Sequence, residues 1–189
     1  MEGTSLKQKK LTLSKELAYI STTCALLLGG QFVFSFVVGV EVVTLILVSF
    51  SFVFGAKRGA VCAISYSLLR CIIYGFYPTV VLLYLIYYPL LALLFGLLGK
   101  VKFFRVHRSA KGEILKVALL TVIGAAMTAI FTLLDDIITP LFWGFSNSAA
   151  AAYFYSSLMP MLTQVICTVV SLSTLFLPLT SVMRRTVKF

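Results

Sequence analysis

An apolar chain that keeps charges inside its apolar runs does so at a cost, and those residues are read first. Arg70 lies within AVCAISYSLLRCIIYG. A guanidinium at that depth costs roughly 2.5–3.5 kcal/mol on insertion scales, so it is expected to face the bundle interior or water and to meet a ligand or an anionic partner. The alternatives are an internal ion pair or snorkelling toward the outer surface. Asp135 and Asp136 close an apolar run just before IITPLFWGFSNS. A helix C-terminus disfavours carboxylates, so the pair needs a reason: pairing with Arg70 or contact with a ligand. Neighbours on a helix point about 100° apart, so one of the two is expected to face inward. Glu41 opens another run, where the helix dipole favours a carboxylate and gives it a structural explanation. Tyr74, Tyr77, Trp143, Asn147, Tyr153 and Tyr155 fall at the same level. They read either as an interfacial aromatic belt or as a pocket with stacking walls and a few convergent polar groups. Gln164 is deeper, as an interhelical hydrogen bond or a pocket floor. The candidate solute-binding set is therefore Glu41, Arg70, Tyr74, Asp135, Asp136, Trp143, Asn147 and Gln164.

The elements that must position them follow from composition. Of 189 residues, 60% are hydrophobic and 12% charged, with a mean hydropathy of +1.05. Soluble domains are nearer 45–50% apolar and about 25% charged. A soluble enzyme, a disordered chain and a disulfide scaffold are excluded. The expectation is an all-α membrane protein: one domain over 1–189, six transmembrane helices in a compact bundle. The apolar segments run from about Leu17 to Val38, Val42 to Ala56, Gly59 to Gly75, Thr79 to Gly99 and Ile114 to Leu134. The sixth starts within Ala149–Tyr155 and ends near Val182. Segments two and three are short for a full span, which neighbours can cover. Residues 1–16 form a basic cytoplasmic segment, 100–113 a basic cytoplasmic loop and 135–155 an irregular outer cap. The first apolar run is too long for the h-region of a cleaved signal peptide and is read as a retained helix. The runs are continuous rather than alternating, which argues against a barrel and for helices, the form that satisfies the backbone in lipid.

The net charge is +10. Every Lys and Arg except Arg70 falls on one side of a six-helix path. The positive-inside rule makes that side cytoplasmic, with both termini inside. The basic balance is thus assigned to the lipid bilayer rather than to nucleic acid. Cys24, Cys62, Cys71 and Cys167 lie in apolar runs without metal spacing and read as small buried hydrophobes. The single histidine, His107, is in the basic loop. No phosphate-binding or metal motif is present, so no catalytic, metal or cofactor site is expected and the chain is not read as an enzyme. It shows no obvious inverted repeat of a self-sufficient transporter. Ser21, Ala25 and Gly29 repeat at spacing four on the first helix, a stripe that admits close approach of another helix. That stripe serves either internal packing or a separate membrane subunit.

The stretch from GVEVVTLILVSFSFVFGAKRGA through YGF to PLLALLFGLLGK resembles the substrate-binding S component of energy-coupling factor (ECF) importers. The likeness lies in order and spacing: a long first helix with small residues, a short second ending in FGAKRGA (Phe54–Ala60), a third closing before Pro78 and a fourth ending in PLLALLFGLLGK. It implies a six-helix protein of a bacterial cell membrane that captures a vitamin or related micronutrient at the outer face. The loop after the first helix and the segment joining the last two would cover the pocket. The Ser21, Ala25 and Gly29 stripe would dock on a membrane coupling subunit, which joins two cytoplasmic ATPases; ATP is then used by those partners and not by this chain. The family often carries alanines at this spacing, so Ser21 and Gly29 are departures. Its pocket residues vary with the solute, and none is carried over. Two other readings stand beside this one. A structural scaffold of the MreD type needs no outer pocket and would simply pair Arg70. A small self-sufficient transporter would work without ATP.

Overall fold

The computed structural model describes residues 12–37, 42–101, 104 and 110–187. Among them there are helices and no strand: α1 Leu13–Phe34, α2 Val43–Phe54, α3 Ala56–Tyr74, α4 Pro78–Leu98, α5 Ala110–Trp143 and α6 Asn147–Val187. Four of these, α1, α4, α5 and α6, are long and apolar enough to cross a membrane.

The centre of the bundle is α2. It is apolar all round, the pattern of a helix enclosed by protein, and every residue but Ile46 and Val53 is buried. Its 12 residues extend about 18 Å, less than a hydrocarbon core of about 30 Å. The neighbours α1, α3, α4 and α6 sheathe it, so the short helix is solvated by side chains. Phe50 stacks on Phe54 with ring centroids 4.5 Å apart, and Phe52 meets Phe176 of α6 edge-on at 5.2 Å. One core cluster draws on all six helices, from Leu27 and Leu47 to Leu91, Leu120 and Leu172.

Two glycines explain FGAKRGA. Gly55 alone separates α2 from α3 and takes φ +92°, a value that favours glycine. Gly59 lies where a Cβ would collide with Ser51, letting α3 fold back against α2. Lys57 and Arg58, expected between helices, instead sit in the first turn of α3. Arg58 Nε donates to Glu16 Oε1 at 2.8 Å, and the Tyr19 hydroxyl donates to the Thr186 carbonyl at 2.9 Å. The first turns of α1 and α3 and the last turns of α6 therefore meet at one end of the bundle. The two ends of the described chain share that end.

Several expected boundaries are corrected. Helix α1 begins at Leu13 and ends at Phe34, so residues 13–16 are helical rather than part of a polar leader. Helix α5 begins at Ala110, inside the stretch expected as loop. Glu113 stands in its first turn and pairs with Lys116 one turn on at 3.4 Å, an arrangement that the helix dipole favours. The largest correction concerns 135–155. It is no irregular cap: α5 runs to Trp143, α6 starts at Asn147, and Gly144–Ser146 is the whole connection. The apolar runs on both sides continue the helices, and Gly144, at φ +62°, turns the chain. Pro140 stays inside α5, and its carbonyl accepts the Phe145 N–H at 3.0 Å across the turn. Helix α6 continues to Val187, past the expected end at Val182. Glu41 and half of the basic loop, His107 among it, lie outside the described residues.

Candidate functional site

Arg70 lies one turn before the end of α3. Its guanidinium carbon is 4.1 Å from the centroid of the Tyr84 ring and 5.2 Å from that of Tyr74. The first ring comes from α4 and the second from the last turn of α3. Among the described residues Arg70 has no ion pair, and its Nε is buried without a hydrogen-bond partner. The Tyr74 hydroxyl beside it is likewise buried and unbonded. A cation thus sits against two π faces, which attract it, while its N–H groups are not all used.

This cation adjoins an aromatic wall. Tyr84 and Tyr88 are 4.9 Å apart, Tyr66 meets Tyr88 edge-on at 5.3 Å, and Phe131 of α5 packs on Tyr87 at 4.6 Å and on Tyr84 at 5.6 Å. The Tyr66 hydroxyl donates to Gln31 Oε1 of α1. Gln31, Tyr66, Tyr84, Tyr88 and Phe131 were not singled out from the sequence. The available signal was the spacing of Tyr84, Tyr87 and Tyr88, at i, i+3 and i+4, which places three hydroxyl-bearing rings on one face of an apolar helix.

The carboxylates form a second group. Asp135 and Asp136 are two turns inside α5 rather than at its end, because the helix continues through Trp143. Both engage α6, whereas one was expected to face inward. Asp135 Oδ2 accepts from the Tyr153 hydroxyl at 2.8 Å, and its Oδ1 from Thr139 at 2.7 Å. Asp136 Oδ2 accepts from the Ser157 hydroxyl at 2.7 Å, while its Oδ1 is buried without a partner. The pair is thus tied across the α5–α6 seam by Tyr153 and Ser157. Neither carboxylate pairs with Arg70. Phe131, one turn before Asp135 on α5, belongs to the aromatic wall.

Deeper along the seam, Thr132 donates to Gln164 Oε1 at 3.4 Å, and Thr128 and Thr168 share a hydrogen bond of 3.1 Å. Gln164 is thus an interhelical partner. Seven residues of α6 separate Ser157 from Gln164, against four of α5 between Thr132 and Asp136. Pro160 lies in the longer stretch, where a helix lacking one i→i−4 bond can bend to absorb the difference. Trp143 and Asn147 are exposed at the hairpin tip, and Trp143 has its ring contact with Phe142 at 5.5 Å. They do not converge with Arg70.

On α1 the buried face is Ile20, Thr23, Cys24 and Leu27. Ser21, Ala25 and Gly29 are exposed on another face, and a Cβ at Gly29 would meet nothing within 4 Å. The Ser21 hydroxyl donates to the Leu17 carbonyl at 2.9 Å, so it needs no polar partner from outside. Among the described residues, nothing packs closely on the stripe at Gly29.

Two cavities lie at the opposite end of the bundle. One, of about 430 Å³, is lined by Ile114, Val117, Ala118, Thr121, Val122, Ser173 and Leu177. The other, of about 350 Å³, includes Glu113, Lys116, Thr180 and Arg184. Neither is lined by a residue of the expected solute site. No family model, curated protein or solved structure matches this chain.

Proposed function

We propose that the chain is the solute-binding membrane subunit of an ECF-type importer, taking a vitamin-like solute at the end of the bundle that carries Arg70. The observation that carries the reading is the Arg70 guanidinium, held between the Tyr74 and Tyr84 rings with a buried Nε that finds no acceptor. A scaffold would be expected to neutralise such a cation internally. A binding protein leaves donors for the solute, and the flanking rings suit a planar, anionic or zwitterionic one. The coupling subunit would lie on the uncovered Ser21, Ala25 and Gly29 face, where small residues let a partner helix come close. Two ATPases on the cytoplasmic side would supply the energy, and the end bearing Glu16, Arg58 and Arg184 would face them. The α5–α6 hairpin beyond Asp135 would border the solute entrance.

The test is mass spectrometry of small molecules released on denaturing the purified protein. A stoichiometric small molecule, retained by wild type and lost by R70Q, is the expected result. Its absence both from protein purified out of rich medium and from protein reconstituted with candidate vitamins would sink the binding-subunit reading. The scaffold would then be the better account.

A further inference from the structure

At the end of the bundle remote from Arg70, the cavity of about 350 Å³ lies among Phe52 of α2, Glu113 and Lys116 of α5, and Thr180, Ser181 and Arg184 of α6. Its volume falls in the range of small-molecule sites. Lys116 is 5% exposed, and its hydrogen bond among the described residues is to Glu113 Oε1, at a long 3.4 Å. An ammonium carries three N–H donors, so this buried cation has donors to spare. The Arg184 guanidinium lies 5.9 Å from the Phe52 ring centroid and has no ion pair among the described residues. Among the described residues Glu113 is the cavity's one carboxylate against two cations, a formal excess of one positive charge. The nearby hydroxyls do not consume the cations: Thr180 donates to the Phe176 carbonyl at 2.7 Å and Ser181 to the Pro178 carbonyl at 2.8 Å.

We infer that this cavity binds a phosphate group, with Lys116 and Arg184 as its ligands. The phosphate belongs to an anionic phospholipid headgroup rather than to a free solute. The position argues for lipid. The cavity opens at the end of two membrane-length helices, and Leu177 also lines the neighbouring apolar cavity, with Val117 and Val122. Ile114 and Val122, 69% and 65% exposed, give that neighbour an apolar rim suited to acyl chains. Basic pockets between spanning helices at this depth suit lipid headgroups, and an arginine can bind phosphate oxygens in a bidentate manner.

The experiment measures the melting temperature of the full chain in detergent against added phosphatidylglycerol, phosphatidylcholine or inorganic phosphate, for wild type, K116M and R184Q. Phosphatidylglycerol should raise the melting temperature where phosphatidylcholine does not. R184Q should weaken the half-saturating concentration about fivefold, the usual weight of one basic residue near an anionic surface. R184Q alters a partly exposed side chain, so it keeps the test decisive if K116M does not fold. If inorganic phosphate gives the same shift, the site stands but its source is soluble, and the lipid assignment falls. Equal shifts with the two lipids, or an unchanged phosphatidylglycerol response in R184Q, would overturn the site.

Discussion

Replacing Arg70 by glutamine separates the two roles that its surroundings allow. If Arg70 only holds α3 to α4, the mutation loses its contacts with Tyr84 at 4.1 Å and Tyr74 at 5.2 Å. Cation–π contacts run from about 0.5–1 kcal/mol when exposed to about 2 when desolvated. Arg70 is partly buried, so two contacts amount to about 2 kcal/mol. Against this stands the buried Nε without an acceptor, whose removal returns about 1–3 kcal/mol. The two nearly cancel, and R70Q should change the melting temperature by no more than about 4 °C, at about 2–4 °C per kcal/mol for a chain of this size. Solute binding should respond differently. Each hydrogen bond from a charged donor is worth about 1.5–3 kcal/mol, so R70Q should weaken binding by about ten- to a hundredfold. The assay pairs thermal unfolding with calorimetry, using the solute identified by mass spectrometry. A fall in melting temperature of 8 °C or more with affinity unchanged would refute the reasoning and make Arg70 a structural clamp.

Three further outcomes are expected. A25L places a large side chain on the exposed α1 stripe and should abolish ATP-driven uptake in whole cells, leaving solute affinity and melting temperature unchanged; normal uptake would reject the docking face. G96A should lower the melting temperature by several degrees, because a Cβ at Gly96 runs into the Ala56 backbone and overpacking costs about 1–3 kcal/mol, whereas G29A, with nothing within 4 Å, should be neutral or stabilising. S157A removes the hydroxyl bonded to Asp136, a partly exposed carboxylate, and should cost about 1 kcal/mol; adding D136L should recover most of that loss, and a double variant as unstable as S157A would show that the bond does not hold the hairpin.

Much of the helical architecture was legible because continuous apolar runs admit few alternatives in lipid. Arg70 was legible because a cation inside such a run must be accommodated. The cap at 135–155 was misread because two carboxylates, a proline and a Trp-Gly pair each resemble a helix end locally. What overrides them is partly tertiary: Tyr153 and Ser157 of α6 supply hydroxyls to the carboxylates, and Thr139 adds a bond from the next turn of α5, so α5 continues past them. That pairing joins residues 18 and 21 positions apart across a turn, and no periodicity within either helix announces it. The aromatic wall was missed for a similar reason. Tyr84, Tyr87 and Tyr88 read as part of a span until Phe131, from a different helix, closes on them.

The lengths of the helices also rank the candidate residues. From Lys116 to Asp135 is 19 residues of unbroken α5, or about 28 Å, close to the hydrocarbon thickness of about 30 Å. A slab laid with one face at Lys116 therefore has its other face at the Asp135–Asp136 pair. The hairpin tip, with Trp143 and Asn147, projects beyond it, so exposure of those residues is the ordinary condition of an interface. Arg70 is different. It stands 12 residues, about 18 Å, along α3 from Arg58, which is tied to Glu16 at the first end. That depth is inside the slab, where an unpaired cation is expensive. Of the expected set, Arg70 is the described residue whose position physics least tolerates without a partner, and it is the one on which the solute reading stands or falls.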